Sequence, residues 1–97
     1  MRHFIVEVTY KAPIAEIDAA LAEHRAFLQK GYDAGLLLCS GPQEPRVGGV
    51  IVARAESLDA LKNFFAADPY LTRALGDYRF VEFSPVKRQA ILDGWAK

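Results

Sequence analysis

Cysteine is nearly absent from this sequence of 97 residues, and neither sign of charge is in excess. The single cysteine, Cys39, excludes an internal disulfide and favours a reducing, cytoplasmic location. Twelve basic side chains balance twelve acidic ones without any block of like charge, so neither nucleic acid nor an anionic membrane is an expected partner. No apolar run approaches the length of a membrane span, and MRHFIVEVTY lacks the continuous apolar stretch of a signal peptide. We therefore expect a soluble protein with one core.

Along the chain, segments in which apolar residues recur every second residue, as in strands, are followed by segments in which they recur every three to four residues, as in helices. Strands are predicted at 4–10, 36–40, 47–55 and 78–85. Helices are predicted from about 13 to 33 and after an N-cap at Ser57, with a further turn or two in DPYLTRAL. This β-α-β-β-α-β order predicts a single α+β domain over 1–97, a ferredoxin-like antiparallel sheet with two helices on one face. Residues 86–97 are predicted to form a helical tail whose packing residues are Val86, Ala90, Ile91 and Trp95.

Both faces of the predicted strands are apolar, although two helices can cover only one of them. One face is predicted to carry Ile5, Ile51, Val81 and Phe83, and the other Phe4, Val6, Val50, Val52 and Phe80. An uncovered apolar face indicates a partner. We expect a homodimer in which two sheets pack face to face, the arrangement called a dimeric α/β barrel, with Trp95 and the tail as additional cover.

His24 is the most informative residue of the first predicted helix. It lies seven residues after Ile17 and between Leu21 and Leu28, so it belongs to the stripe that faces the sheet. A buried histidine satisfied by a backbone carbonyl or a water is one interpretation of this position. A residue that transfers protons is the other.

Asp68 bears on that choice because it lies seven residues after Leu61, on the inner stripe of the second predicted helix. Asp68 followed by Pro69 is also typical of an N-cap with a first-turn proline, so capping alone accounts for an aspartate here. Capping does not account for a histidine and an aspartate on the inner stripes of two neighbouring helices. A carboxylate beside the imidazole would fix one tautomer, and the two residues would form a general acid/base dyad.

Further candidate residues are predicted at the same sheet edge, where the second strand and the second helix end. They are Ser40, Gly41, Pro42 and Tyr10, all taken as substrate-binding, with Ser40 as a hydrogen-bond donor to substrate. Nucleophilic catalysis by Ser40 or Cys39 is disfavoured because no oxyanion-hole motif surrounds them.

A metal site is not expected, because His24, Asp68 and His3 offer too few ligands at a recognisable spacing. His3 is interpreted as a surface strand residue. Gly48-Gly49 begins a strand, so it is interpreted as a bulge or as a close backbone approach at the dimer contact, and not as a phosphate loop.

We interpret three arginines first as ordinary solvated cations of the surface: Arg46, Arg54 and Arg73. One of them near the pocket could instead bind an anionic group of the substrate.

Several short motifs occur together in this chain in a characteristic order. They are H-R-x-F-L at 24–28, G-L-L-L-x-S-G-P at 35–42, G-G at 48–49 and A-D-P-Y at 67–70. In this combination the sequence resembles the YciI-like (YCII-related) family of small bacterial proteins. The resemblance implies a ferredoxin-like fold assembled as a dimeric α/β barrel, and an active-site histidine and aspartate that map onto His24 and Asp68.

The resemblance implies a range of reactions and no metal or organic cofactor. Relatives include dehydrochlorinases of chlorinated hydroxyquinols in aromatic breakdown and enzymes similar in fold to muconolactone isomerases. The expected function is a cofactor-independent lyase or isomerase acting on a small cyclic oxygenated substrate. The alternative is a non-catalytic, dimeric small-ligand-binding or accessory domain. The tail from Val86 onward extends beyond the motifs.

Overall fold

A computed structural model describes residues 1–97 as four strands and three α-helices. In chain order they are β1 (Arg2–Tyr10), α1 (Ile14–Asp33), β2 (Leu37–Pro42), β3 (Gly48–Ala55), α2 (Leu58–Phe65), α3 (Pro69–Thr72) and β4 (Gly76–Phe83). The predicted β-α-β-β-α-β order is confirmed, and α3 is the short turn predicted after α2. β2 extends two residues beyond the predicted strand at 36–40, so Gly41 and Pro42 lie inside it.

Local signals in the sequence determine where the helices begin and end. The Ser57 hydroxyl accepts a hydrogen bond from the Ala60 amide at 3.0 Å and caps α2. Asp68 caps α3 in the same way, with Pro69 in the first turn. After α1, Gly35 has a φ of 74°, a left-handed conformation that favours glycine and turns the chain toward β2.

The four strands form one antiparallel sheet in the order β2-β3-β1-β4. Val6 pairs with Ile51, whereas Ile5 pairs with Val52. Since paired residues share a face, Ile51 lies on the helix-covered side and Val52 on the open side. The predicted assignment of β3 residues to the two faces was therefore wrong, because it depended on a register between strands that only the folded sheet defines.

Both long helices pack on one face of the sheet, as predicted. The main core joins strand residues Phe4 and Val6 to Phe27 of α1 and to Leu61 and Phe65 of α2. A second, smaller core lies toward α3 and contains Ile17, Ala20, Tyr70 and Leu75. The helices thus enclose one side of the sheet, and the other side is covered by this chain only at one end, where Trp95 lies beside His3 and Arg54.

Gly48 marks a close approach between β3 and β1. A Cβ atom built on it would lie 1.8 Å from the carbonyl oxygen of Val8. The close-approach interpretation of Gly48-Gly49 is confirmed, but the contact lies within this chain's own sheet. The irregularity in strand pairing lies elsewhere, between Leu37 and Cys39 of β2.

The tail after β4 is not the helix that was predicted. It contains only a 3₁₀ turn at Ala90–Leu92, and Val86 and Ile91 are 86% and 90% exposed. A twelve-residue segment is too short to form a stable helix without a packed face. Of the four predicted packing residues only Trp95 is half-buried, with its ring 4.2 Å from the Arg54 guanidinium. None of the helices combines the length and apolarity needed to cross a membrane.

His3 is buried and not the surface residue predicted, with 6% of its area exposed. The tail is the cause, because the Trp95 ring lies edge-on to the imidazole at 6.2 Å between centroids. Neither ring nitrogen of His3 has a hydrogen-bond partner. Burial lowers the pKa of His3 from 6.5, and the positive charges of the N-terminus, Arg54 and Arg88 lower it further.

Stability is therefore expected to fall in acid through His3. Its pKa is lower in the folded chain than in the unfolded chain, so below about 6.5 the unfolded chain binds more protons. The stability contribution is complete above that pH and is lost as the pH falls through the folded pKa. Urea unfolding of wild type and His3→Gln between about pH 8 and about pH 5 should show the larger loss in wild type. Parallel curves for the two proteins would contradict this prediction.

Candidate active site

His24 and Asp68, which are far apart in sequence, meet between α1 and the junction of α2 with α3. His24 lies on the inner stripe of α1, and 12% of its side chain is exposed. Because α2 ends at Phe65, Asp68 reaches the interior as the cap of α3 and not as a further turn of α2. Its side chain is fully buried. The His24 Nδ1 and Asp68 Oδ1 atoms are 2.7 Å apart.

Asp68 accepts three hydrogen bonds. Its Oδ1 atom accepts from the Tyr70 amide at 3.1 Å as well as from His24, so capping and imidazole binding share one oxygen. The Tyr78 hydroxyl donates to Oδ2. These donors satisfy a carboxyl group that has no access to water. With Asp68 accepting at Nδ1–H, the imidazole has its free electron pair on Nε2.

Two tyrosines fix this pair from either side. The Tyr70 ring stacks on the His24 ring with centroids 3.8 Å apart and an interplanar angle of 5°. Burial raises the pKa of Tyr70 to about 12. Burial also raises the pKa of Tyr78, and the negative charge of Asp68 raises it further. Both phenols therefore stay protonated at neutral pH, and Tyr78 remains a donor to the carboxylate.

A pocket of about 400 Å³ opens beside the His24 ring, between α1 and the β2–β3 edge of the sheet. Seven of the fourteen residues that line it are hydrophobic, among them Val8, Leu28 and Ile51. Asp68 is absent from the lining, so it lies behind the imidazole. Within the chain His24 Nε2 has no hydrogen-bond partner, and it is not a buried unpaired atom as the nitrogens of His3 are. It is thus the part of the pair that a bound molecule can reach.

All the residues predicted to bind substrate line this pocket, namely Ser40, Gly41, Pro42 and Tyr10. Ser40 also contacts the Tyr32 hydroxyl at 2.6 Å, which orients its Oγ atom from α1. The structure therefore brings together His24 and every residue predicted at this sheet edge.

Several residues at the site were not found from the sequence. Tyr78 shares a strand face with Phe80, so alternation alone places it toward the helices. Arg25 follows His24 directly and lines the pocket, as does Tyr70 of the A-D-P-Y motif. No local signal indicates Tyr32, because its contact with Ser40 depends on how α1 lies over β2.

The fold and the site define this protein's class: a ferredoxin-like α+β domain with a buried histidine–aspartate pair beside a pocket. Within that class the chain belongs to the family of the YCII-related domain, whose family model matches residues 1–84. Most of the irregular tail, from Pro85 onward, lies outside the match. No match to a curated protein was found.

A solved structure shares the fold over nearly its full length. It is 5-chloro-2-hydroxyhydroquinone dehydrochlorinase (TftG) from Burkholderia phenoliruptrix, in complex with 2,5-dihydroxybenzoquinone. The match covers 90% of this chain and 92% of that chain, with a TM-score of 0.68 and 18% sequence identity. At this identity the similarity shows the fold, and the chemistry has to be argued from the site itself.

Proposed function

We propose that this protein is a cofactor-independent lyase or isomerase that uses His24 and Asp68 as an acid/base dyad. The observation that carries the proposal is the arrangement of His24, with Nδ1 held by a buried carboxylate and the ring lining an open pocket. A histidine satisfied in the core would not have its second nitrogen available to a ligand. The fold of a dehydrochlorinase supports the same class of activity.

The tautomer of His24 that Asp68 sets determines which nitrogen accepts a proton from the substrate. Nε2 of His24 removes a proton from a carbon next to a substrate oxygen, and the positive imidazolium that forms is stabilised by the carboxylate at 2.7 Å. Stacking on Tyr70 holds the ring plane while the charge changes. Ser40, held by Tyr32, donates a hydrogen bond to the substrate oxygen on which negative charge develops.

Two outcomes are compatible with this first step on a small cyclic oxygenated substrate. In an elimination, as in dehydrochlorination of a chlorinated hydroxyquinol, the ring reacts as its non-aromatic keto tautomer. His24 removes a proton from it, the electron pair left behind moves through the conjugated ring and expels chloride, and the proton stays on His24 until solvent removes it. In an isomerisation, such as that of a lactone, His24 returns the proton to a different carbon. Both need a base beside an apolar pocket that accepts one ring.

The test measures turnover by wild type and His24→Gln. Chloride release from 5-chloro-2-hydroxyhydroquinone, the substrate in the neighbour's name, tests elimination, and lactone isomerisation is followed by absorbance. Loss of turnover in the variant supports the proposal. Full turnover in the variant would overturn it. Binding of these compounds by wild type without turnover would favour the alternative, a ligand-binding or accessory domain.

The open face of the sheet is the basis for a proposed homodimer. Ile5, Val52 and Val81 lie there half-buried, beside Phe83, which is 41% exposed. A face of this kind in a small protein is typical of an interface, and a second copy supplies a matching surface by two-fold symmetry. Trp95 already covers the His3 end, so the partner sheet occupies the remainder.

Light scattering on the purified chain should give about twice the monomer mass of 10.8 kDa. Val52→Asp places a charge in the centre of the face and should shift the mass to that of the monomer. A monomer mass for wild type at high micromolar concentration would show that the proposed dimer is wrong.

A further inference from the structure

The charges around the pocket point to the kind of molecule it accepts. Two arginines, Arg25 and Arg46, line it, and no aspartate or glutamate does. The chain as a whole carries twelve basic and twelve acidic side chains, so a lining with cations alone is a local departure from balance. Asp68 does not offset them at the pocket surface, because it lies behind His24 and is saturated by three donors.

Arg46 is held in place before any ligand arrives. It extends from the β2–β3 connection to α1, where its Nη2 atom lies 2.6 Å from Asp18 Oδ1. Its guanidinium also lies 6.0 Å from the centre of the Tyr10 ring, which lines the same pocket. The hydrogen bond with Asp18 raises the pKa of Arg46, so the group stays charged. Asp18 and the Tyr10 hydroxyl together use only part of a guanidinium's five donors, so N–H groups remain for a second anion.

Arg25 differs from the other arginines near the site because it has no carboxylate partner. The ion pairs of the chain engage Arg46 with Asp18 and Arg73 with Glu23, but none involves Arg25. It is exposed on α1 directly after His24. An unpaired cation at the pocket wall attracts an anion and adds to the contribution of Arg46.

We infer that the pocket selects small, single-ring molecules that carry an anionic oxygen group, and that Arg46 is the main specificity residue with Arg25 assisting. The apolar ring packs against Leu28 and Ile51, and the anionic oxygens bind Arg46. This inference deepens the proposed function and depends on it for the role of the ligand as a substrate. The selection for an anion rests on the two arginines alone.

The test compares two probes of the same shape and different charge, salicylate and its neutral amide, salicylamide, by titration calorimetry near neutral pH. Wild type should bind the acid about 10- to 100-fold more tightly than the amide, as expected for a charge-assisted hydrogen bond. Arg46→Gln should reduce that ratio to about threefold or less by weakening binding of the acid. Arg25→Gln should give an intermediate ratio. The matched control is Arg79→Gln, which removes an arginine whose side chain is 73% exposed and paired with Glu7.

Equal binding of the two probes by wild type, no binding of the acid, or an unchanged ratio in Arg46→Gln would each overturn the inference. The result is independent of catalysis. If His24→Gln keeps full turnover while Arg46→Gln loses the preference for the acid, the dyad is wrong and the anion selectivity is right. If His24→Gln loses turnover while Arg46→Gln keeps the preference for the acid, the anion selectivity is wrong and the dyad is supported.

Discussion

We expect His24→Gln to lower kcat by about 10²- to 10⁴-fold, the usual contribution of a positioned general acid/base. Glutamine is close to histidine in size and keeps a polar group near Asp68, but it has no nitrogen that exchanges a proton at neutral pH. KM should change little, because the ring of the substrate packs on apolar residues and not on the imidazole. Steady-state kinetics on the substrate that wild type accepts measures both quantities.

The chain's other histidine supplies the control for this variant. His3 is also buried, but it lies beside Trp95 on the opposite side of the sheet and away from the pocket. His3→Gln should keep wild-type kcat. If both variants keep full turnover, His24 is a structural residue and the proposed dyad is incorrect.

Asp68→Asn tests the role of the carboxylate separately from that of the imidazole. An amide group at this place can donate to Nδ1, which moves the imidazole proton to Nε2 and removes the base; we expect a loss in kcat of at least about 10²-fold. Asp77→Asn is the matched control, since Asp77 is an exposed carboxylate whose one partner is Lys11 at 3.0 Å. Equal kcat in the two variants would show that Asp68 acts only as the cap of α3.

We expect Gly48→Ala to have the largest effect on stability, lowering the free energy of unfolding by about 3 kcal/mol. The added Cβ would lie 1.8 Å from the Val8 carbonyl oxygen and 2.6 Å from Gln43 Oε1. The glutamine side chain can move away, but the carbonyl belongs to β1, which is paired with β3 on one side and β4 on the other, so it moves only with the strand. The midpoint of thermal unfolding should fall by more than about 10 °C.

Gly41→Ala is the control for that substitution. Gly41 also lies in a strand at the pocket, but a Cβ atom on it would meet no atom within 4 Å. We expect its unfolding free energy to stay within about 0.5 kcal/mol of wild type. If the two alanine variants are equally stable, the sheet can shift to accommodate a Cβ atom at position 48, and the close approach to Val8 does not explain why this residue is glycine.

Much of the fold follows from local features that the sequence states directly. Alternation of apolar residues gave the four strands, and the cap at Ser57 and the glycine at 35 gave the limits of α2 and α1. These features act over a few residues, so they can be seen without knowing the rest of the chain. The tail was predicted wrongly because its structure depends on a contact distant in sequence, that of Trp95 with Arg54, and not on local features.

The candidate site depends on both levels. Seven-residue spacing placed His24 on an inward-facing position, and the predicted strand order added Ser40 and Tyr10 at the same sheet edge, all without coordinates. The same spacing predicted that Asp68 faces inward, but for the wrong reason, because Asp68 is buried as the cap of α3. That His24 Nδ1 lies 2.7 Å from Asp68, with the carboxylate held by Tyr78, was decided by the packing of α1, α3 and β4.

By itself the sequence determined the order of the elements, the capping of the helices and the inward direction of the histidine and the aspartate. Tertiary structure alone decided which oxygen each donor reaches, which arginines line the pocket and which strand residues share a face. The physical reason is range. Propensity, capping and periodicity act between near neighbours, whereas strand register and helix placement are fixed by side chains that meet only when the whole core is packed.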